Sequence, residues 1–211
     1  YKLYEGILQE RIQSDEDIAR TFFPDTKHSD AYTTRLKRKL RDRLVNTLFL
    51  IDLNTPHYND LQRAHASCYK NLSAMHTLSV RYKHKAATEL AEKTLRQSLY
   101  YGFTEINLSI ARYLSIFYST GRKDQKKTQY YLKMAKEQSF ILNQEIKAEN
   151  AFIELGLINA YNMSATKQIS EKASKYVEEL WPLIHKIKTP KFNMYVFYLL
   201  ITFYEKSADY R

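Results

Sequence analysis

An all-α fold of stacked helical hairpins is what this sequence predicts, and three observations carry that prediction. The first is an internal echo. Laying Gln97-Ser98 over Gln138-Ser139, a shift of 41 residues, brings Gly102 onto Asn143, Leu114 onto Leu155, Ser115 onto Gly156 and Gly121 onto Asn162. Gly and Asn most readily adopt the left-handed conformation that ends a helix, so Gly102 and Asn143 are expected to be equivalent C-caps. Ser115 and Gly156 are expected to be small residues at equivalent buried crossings, where Gly156→Leu would overpack. A period of this size marks stacked hairpins. The second observation is composition: four Gly and four Pro in 211 residues suit long helices with short connections. The third is periodicity, with apolar residues recurring at three- and four-residue steps through much of the chain.

In order, residues 2–13 predict a short helix with Leu3, Ile7 and Leu8 on one side. Ser14 followed by Asp15-Glu16-Asp17 is an N-cap with an acidic first turn, opening a helix over 15–23 that stops before Pro24. A long helix is predicted from Ser29-Asp30 to about Asp52. Its stripe is Tyr32, Leu36, Leu40, Leu44, Leu48 and Ile51, and its end, LVNTLFLI, is expected to be deeply buried before the break at Asn54-Thr55-Pro56. A helix over 57–82 should turn Leu61, Ala64, Cys68, Leu72, Met75 and Leu78 inward. The next is capped by Gly102. Helices over 103–120, 124–142 and 144–162 follow, then one from Lys167 that Pro182 should kink or split. Lys188-Thr189-Pro190 is a further break, and Phe192–Lys206 is the last helix.

The formal net charge of +10 raises the question of a nucleic-acid partner. Its excess is spread at two or three charges per quarter of the chain, as solvated helix faces would have it. The densest basic run is Arg35, Lys37, Arg38, Lys39, Arg41 and Arg43, with Asp42 the only acid among them; it is the candidate contact for nucleic acid or an acidic partner. The lone Cys68 excludes an internal disulfide and fits a reducing compartment, so a cytoplasmic location is the expectation. No apolar run approaches the roughly 18–20 residues that span a bilayer.

Small and large residues alternate on the helices in a family-like way. Leu114-Ser115-x2-Tyr118 and Leu155-Gly156-x2-Asn159 lie on one helix of each pair. Ala87-x3-Ala91-x2-Thr94, Thr128-x3-Leu132-x2-Ala135 and Ala173-x3-Val177-x2-Leu180 lie on the other, and Tyr204-x3-Ala208-Asp209-Tyr210 ends the chain. From about residue 57 onward the sequence resembles the tetratricopeptide-repeat superfamily in a divergent form. Its spacing of 41 to 45 residues exceeds the family's period of about 34, and only Gly156 keeps the family's helix-A glycine, with Ala74, Ser115 and Ile201 at the aligned positions. The resemblance implies a TPR-like right-handed superhelix of about ten helices, with an N-terminal helical cap (1–55) before the repeats (56–211). It also implies a concave face lined by the first helix of each pair. Asn71, Arg112, Ile153 and Tyr198 then share one repeat position, with Asn150, Tyr161 and Tyr195 nearby. Arg, Asn and Tyr suit capture of a protein or peptide segment.

Catalytic signatures do not assemble. Gly6, Gly102, Gly121 and Gly156 are too far apart for a phosphate loop, and the six histidines keep no metal spacing. Cys68 falls on an apolar face, and the pairs Glu178-Glu179 and Glu145/Glu149 read as solvated carboxylates. The expectation is a non-catalytic scaffold or sensor module with no cofactor, binding a protein or peptide partner. The alternative is a nucleic-acid-associated regulator. The apolar run FNMYVFYLLITFY before EKSADYR is expected to need a covering helix beyond Arg211 or another copy of the chain, because a helix apolar on most faces needs neighbours on several sides.

Overall fold

Start and stop signals of local chemistry set most element boundaries. The structure, a computed structural model, describes residues 1–48, 50–53, 55–161 and 166–207. Among them it forms nine α-helices and no strand. Two compact units result, Tyr1–His57 and Tyr58–Arg211. The expectations placed on Phe49, Asn54, Asn162 and the Ala208-Asp209-Tyr210 turn lie outside the described residues.

The first unit holds α1 (Lys2–Leu8), α2 (Asp15–Phe22) and α3 (Ser29–Leu48). Ser14 caps α2 as its sequence predicts: the Asp17 N–H donates to Ser14 Oγ at 3.2 Å and the Ser14 N–H donates to Asp17 Oδ2 at 3.0 Å. Backbone donation from Gln13, then from Ser14, holds the Asp17 carboxyl below its usual range. The core is small: Leu3, Ile12 and Ile18, with Phe22, Leu36 and Leu40 packed on it. It ends halfway along α3. Leu44, Val45 and Leu48 are 42%, 48% and 60% exposed, and Leu50 and Ile51 are exposed beyond them, so the expected burial of this run is corrected. Likewise α1 stops at Leu8, and Ile7 and Leu8 are exposed while Leu3 alone of that set is buried.

The second unit holds α4 (Asp60–Val80), α5 (His84–Tyr101), α6 (Thr104–Ile116), α7 (Gln125–Tyr161), α8 (Thr166–Leu180) and α9 (Pro190–Ser207). Consecutive helices pack on one another, and α7 also packs on α9. One core joins Cys68 and Met75 of α4, Ala87, Ala91 and Leu95 of α5, and Ile106, Ile110 and Leu114 of α6 to Tyr131 of α7. A second joins Ala148, Ala151 and Leu155 of α7 to Ile169, Ala173 and Leu180 of α8 and Phe192, Val196 and Leu199 of α9. Pro182 ends α8: the helix stops at Leu180 and a 3₁₀ turn, Trp181–Leu183, follows. On α9, Phe197, Tyr198 and Ile201 are exposed while Leu200 and Phe203 are half-buried.

The largest correction concerns 103–162. Instead of three helices, α6 passes into a π-helical turn, Phe117–Gly121, and α7 then runs unbroken for 37 residues. Asn143 is therefore exposed in mid-helix and caps nothing, whereas Gly102 does cap α5 at φ 71°. The reason is visible on the inner face. Tyr131, Met134, Gln138, Ile141, Glu145 and Ala148 follow at steps of three and four, each buried or half-buried, and the stripe passes Asn143 without a gap. Asn inside a helix costs no more than about 0.7 kcal/mol relative to Ala, which continuous burial outweighs. The matched pair Ser115/Gly156 separates too. Ser115 is buried, but Gly156 is exposed, and a Cβ there would meet nothing within 4 Å.

Gly156 consequently loosens α7 without serving a crossing. Gly156→Ala should raise unfolding stability by about 1 kcal/mol through helix propensity. Chemical denaturation of the variant checks this, and an unchanged or lower midpoint would mean that the glycine serves a contact.

Candidate functional site

A corner, a stripe and a helix start converge in the second unit. Gly102 adopts the left-handed conformation, and the Phe103 N–H donates to Ser98 O at 2.9 Å, so α5 ends and α6 begins at Thr104. The beginning of α9 lies against this corner: a Cβ on Gly102 would stand 3.0 Å from Pro190 Cδ and 3.6 Å from Thr189. Glycine is thus required twice, for its φ and for that approach. Across from the corner, Glu145 occupies the inner stripe of α7 and is 2% exposed. Its Oε1 accepts from the Thr104 hydroxyl at 2.8 Å and from the Thr189 hydroxyl at 2.5 Å, tying the corner and the α9 start to α7. Its Oε2 accepts no hydrogen bond among the described residues.

Beside this clamp opens a cavity of about 460 Å³. Leu61, His65 and Tyr69 of α4 form one wall, and Tyr101 and Phe103 flank Gly102 as another, stacked with centroids 5.6 Å apart. Glu105, Glu145, Lys191 and Met194 complete it. His65 lies 4.7 Å from the Tyr69 ring and edge-on to Phe103 at 5.1 Å. The Tyr69 hydroxyl donates to Glu105 Oε2 at 3.3 Å, and burial, then the Glu105 charge, pushes that phenol up. Lys191 donates its ammonium to Glu149 Oε2 at 3.0 Å, and that bond holds the Glu149 carboxyl below its usual range; the same bond, then the charges of Glu149, Glu105 and Glu145, push Lys191 up.

Tyrosine–glutamate–lysine ties recur through this unit. Tyr195 donates to Glu149, which pairs with Lys191. Tyr176 donates to Glu154, which pairs with Lys172. Tyr118 and Tyr131 donate to Glu92 at 2.8 and 3.2 Å, and Lys127 reaches both Glu92 and the Tyr118 hydroxyl. Tyr118 and Tyr131 stack at 5.7 Å, and the Lys127 ammonium lies 4.4 Å from the Tyr118 ring centre. Glu105 has its tyrosine but forms no ion pair among the described residues.

None of the seven residues proposed for a concave face lines the cavity. Asn71 on α4 is half-buried, and Arg112 on α6, Asn150 and Ile153 on α7, and Tyr161 at the end of α7 are exposed. Tyr195 and Tyr198 of α9 are brought together through Phe152, whose ring lies 5.5 Å from each. Among the described residues no hydrogen bond or ring contact joins Asn71 or Arg112 to the others. Glu145 corrects the expectation of a solvated carboxylate, and its register with Ala148, Ala151 and Leu155 was the signal that marks it as inward. Cys68 is fully buried and burial pushes its thiol up, which leaves it without thiolate character. Among the described residues no group of three or more His, Cys, Asp or Glu is placed to hold a metal ion, and no helix is long and apolar enough to cross a membrane.

In the first unit, Arg35, Lys37, Arg38, Lys39, Arg41 and Arg43 are all exposed on α3. Lys37 pairs with Asp15 at 2.7 Å; the other five form no ion pair among the described residues. No family model, curated protein or solved structure matches this chain.

The Glu92 tie carries a pH dependence. Burial works to raise the Glu92 carboxyl, but donation from Tyr118, the Lys127 charge and donation from Tyr131 outweigh it, and the group ends below the ordinary 4.5. A depressed folded value contributes stability that is present above the unfolded value and lost as pH falls through the folded one. Glu92→Gln should therefore be less stable than the wild type at about pH 6, and the difference should shrink at about pH 3. Thermal melts at the two pH values check this; a gap that stays constant would remove the charge from the explanation.

Proposed function

We propose that the chain is a non-catalytic helical binding module, a TPR-like array whose second unit captures a segment of a protein partner. The observation that carries this reading is the cavity at the α5–α6 corner. It has aromatic walls, exposed Leu61 and Met194 at its surface, and one buried carboxylate held by two hydroxyls. Recognition sites have this character, mostly apolar and aromatic with a few placed polar groups. Surface continues from it along α9, where Lys191, Met194, Tyr195 and Tyr198 follow at helical spacing and Tyr195 and Tyr198 share Phe152. A bound segment would seat one side chain in the cavity and lie over those tyrosines. Aromatic surface of this kind gives contact area at low conformational cost.

Selection from a displayed peptide library against the wild type and Met194→Trp tests the module. Met194 is 44% exposed on the cavity wall, so the larger ring fills space without entering the core. Enriched peptides should lose about tenfold or more in affinity, about 1.4 kcal/mol, on the variant. No enrichment, or enrichment indifferent to Trp at this position, would overturn the reading.

A second reading is favoured by the unpaired cations of α3: the helix would contact a nucleic-acid backbone through Arg35, Arg38, Lys39, Arg41 and Arg43. Each phosphate contact releases counterions, so binding would fall steeply with salt. Fluorescence anisotropy on random-sequence DNA at about 50 and 200 mM salt reads this out. Binding that disappears on charge reversal at Arg35, Arg38 and Lys39 supports it; no binding at the lower salt dismisses it.

A further inference from the structure

We propose that the corner cavity is a receptor for an ammonium group on an aliphatic stem, as on a lysine side chain of the captured segment. This deepens the module reading and rests on that cavity being its binding site. Glu145 is 2% exposed, yet only one of its oxygens is satisfied: Oε1 takes both threonine hydroxyls, and Oε2 takes no hydrogen bond among the described residues. Glu145 lines the cavity, so its second oxygen is open to a ligand there, and a cation would meet it with a favourable charge interaction. Three tyrosine-bonded glutamates of the same unit carry a lysine each, Lys127 on Glu92, Lys191 on Glu149 and Lys172 on Glu154, whereas Glu178, bonded by the Ser174 hydroxyl, forms no ion pair among the described residues. Glu105 and Glu145, the two carboxylates on this cavity, are bonded by hydroxyls alone. Lys191 stands on the wall and bonds Glu149, and its charge is also felt by Glu105 and Glu145, so it offsets part of their charge without bonding either.

The remaining walls suit the same ligand. Ring systems of His65, Tyr69 and Phe103 meet within 5.1 Å at the mouth, and aromatic faces attract cations most where water is excluded. Leu61 and Met194 offer apolar surface for a stem. An anionic ligand would face the two carboxylates, offset only in part by the Lys191 charge that Glu149 also holds, and would be disfavoured. The overall charge of +10 does not reverse this, because salt screens distant charge beyond about 8–10 Å while the cavity's own groups act at contact.

Nuclear magnetic resonance titration with n-pentylammonium and with 1-pentanol, its neutral counterpart of similar length, separates charge from apolar fit. Pentylammonium should shift the ring signals of His65, Tyr69 and Phe103 and bind about tenfold or more tightly than the alcohol. Glu145→Gln keeps an acceptor for Thr104 and Thr189 and removes the charge, so it should bring pentylammonium down to the level of pentanol. Should that variant fail to fold, Glu105→Gln, at an exposed carboxylate, should give a smaller loss of the same sign. Equal binding of the two probes, no movement of those rings, or indifference to loss of the carboxylate charge would overturn the proposal.

Acetyl-Ala-Lys-Ala-amide in the same titration distinguishes the source of the ammonium. Binding of both the tripeptide and pentylammonium supports a lysine of a bound segment. Binding of pentylammonium alone keeps the ammonium receptor but assigns it to a free amine, which overturns the peptide-capture reading. Displayed peptides that need the cavity but show no preference for a basic residue leave the module standing and overturn the receptor.

Discussion

The second unit depends on the continuity of α7. At about 1.5 Å per residue its 37 residues make a rod of about 55 Å, and a helix within a protein draws most of its stability from packing. The first part of the rod supplies Tyr131 and Met134 to the core built with α4, α5 and α6; the last part supplies Ala148, Ala151 and Leu155 to the core built with α8 and α9. Neither core closes without it. Because one rigid element serves both, the register between them is fixed by the stripe and not by a loop. Glu145 sits on that stripe between the two apolar stretches, so the seam between the cores is polar, and hydroxyls from the α5–α6 corner and the α9 start meet there.

Tyrosines make further polar ties between helices of this unit. In each of the five Tyr–Glu bonds among the described residues the partners come from different elements: Tyr69 of α4 to Glu105 of α6, Tyr118 of the π turn and Tyr131 of α7 to Glu92 of α5, Tyr176 of α8 to Glu154 of α7, and Tyr195 of α9 to Glu149 of α7. A phenol buries a ring and still delivers a donor at its tip, so it can tie two helices where the interface is half wet. Replacing such a tie with an aliphatic pair would strand the glutamate. Glu92, Glu149 and Glu154 are in that sense structural, and Lys127, Lys191 and Lys172 neutralise them.

Local punctuation was legible in the sequence, and long-range burial was not. The Ser14 cap, the left-handed Gly102 and the stop at Pro182 follow from chemistry confined to a few residues. Asn143 failed because tolerance of the left-handed conformation permits a break and does not impose one. The decisive pattern, Tyr131 to Ala148 at steps of three and four, runs straight past it. Gly156 failed for the related reason that a small residue records a close approach only where a neighbour exists. The LVNTLFLI run failed in the other direction: hydrophobicity states a preference for burial, and the two short helices α1 and α2 cover α3 only as far as Leu40.

The cavity was hidden for a different reason. Its residues come from the α5–α6 corner and the α9 start together with His65, Tyr69 and Glu145 inside α4 and α7, and a repeat alignment that looks for one equivalent position per helix does not bring them together. Only Glu145 could have been found, as a charge in an otherwise apolar register, and the sequence rule that charges face water sent it to the surface instead. A buried carboxylate is rarely the most stable choice for such a position, since an aliphatic side chain of similar volume avoids the desolvation cost. Retaining it there makes the interior of the seam discriminate by charge. Apolar walls alone accept any side chain that fits, whereas a carboxylate with one free oxygen at the end of the same cavity penalises neutral and anionic ones far more than it penalises a cation. Specificity of this kind arises from what the site leaves unpaired, and in this chain the unpaired oxygen belongs to the residue that also fastens the corner to α7.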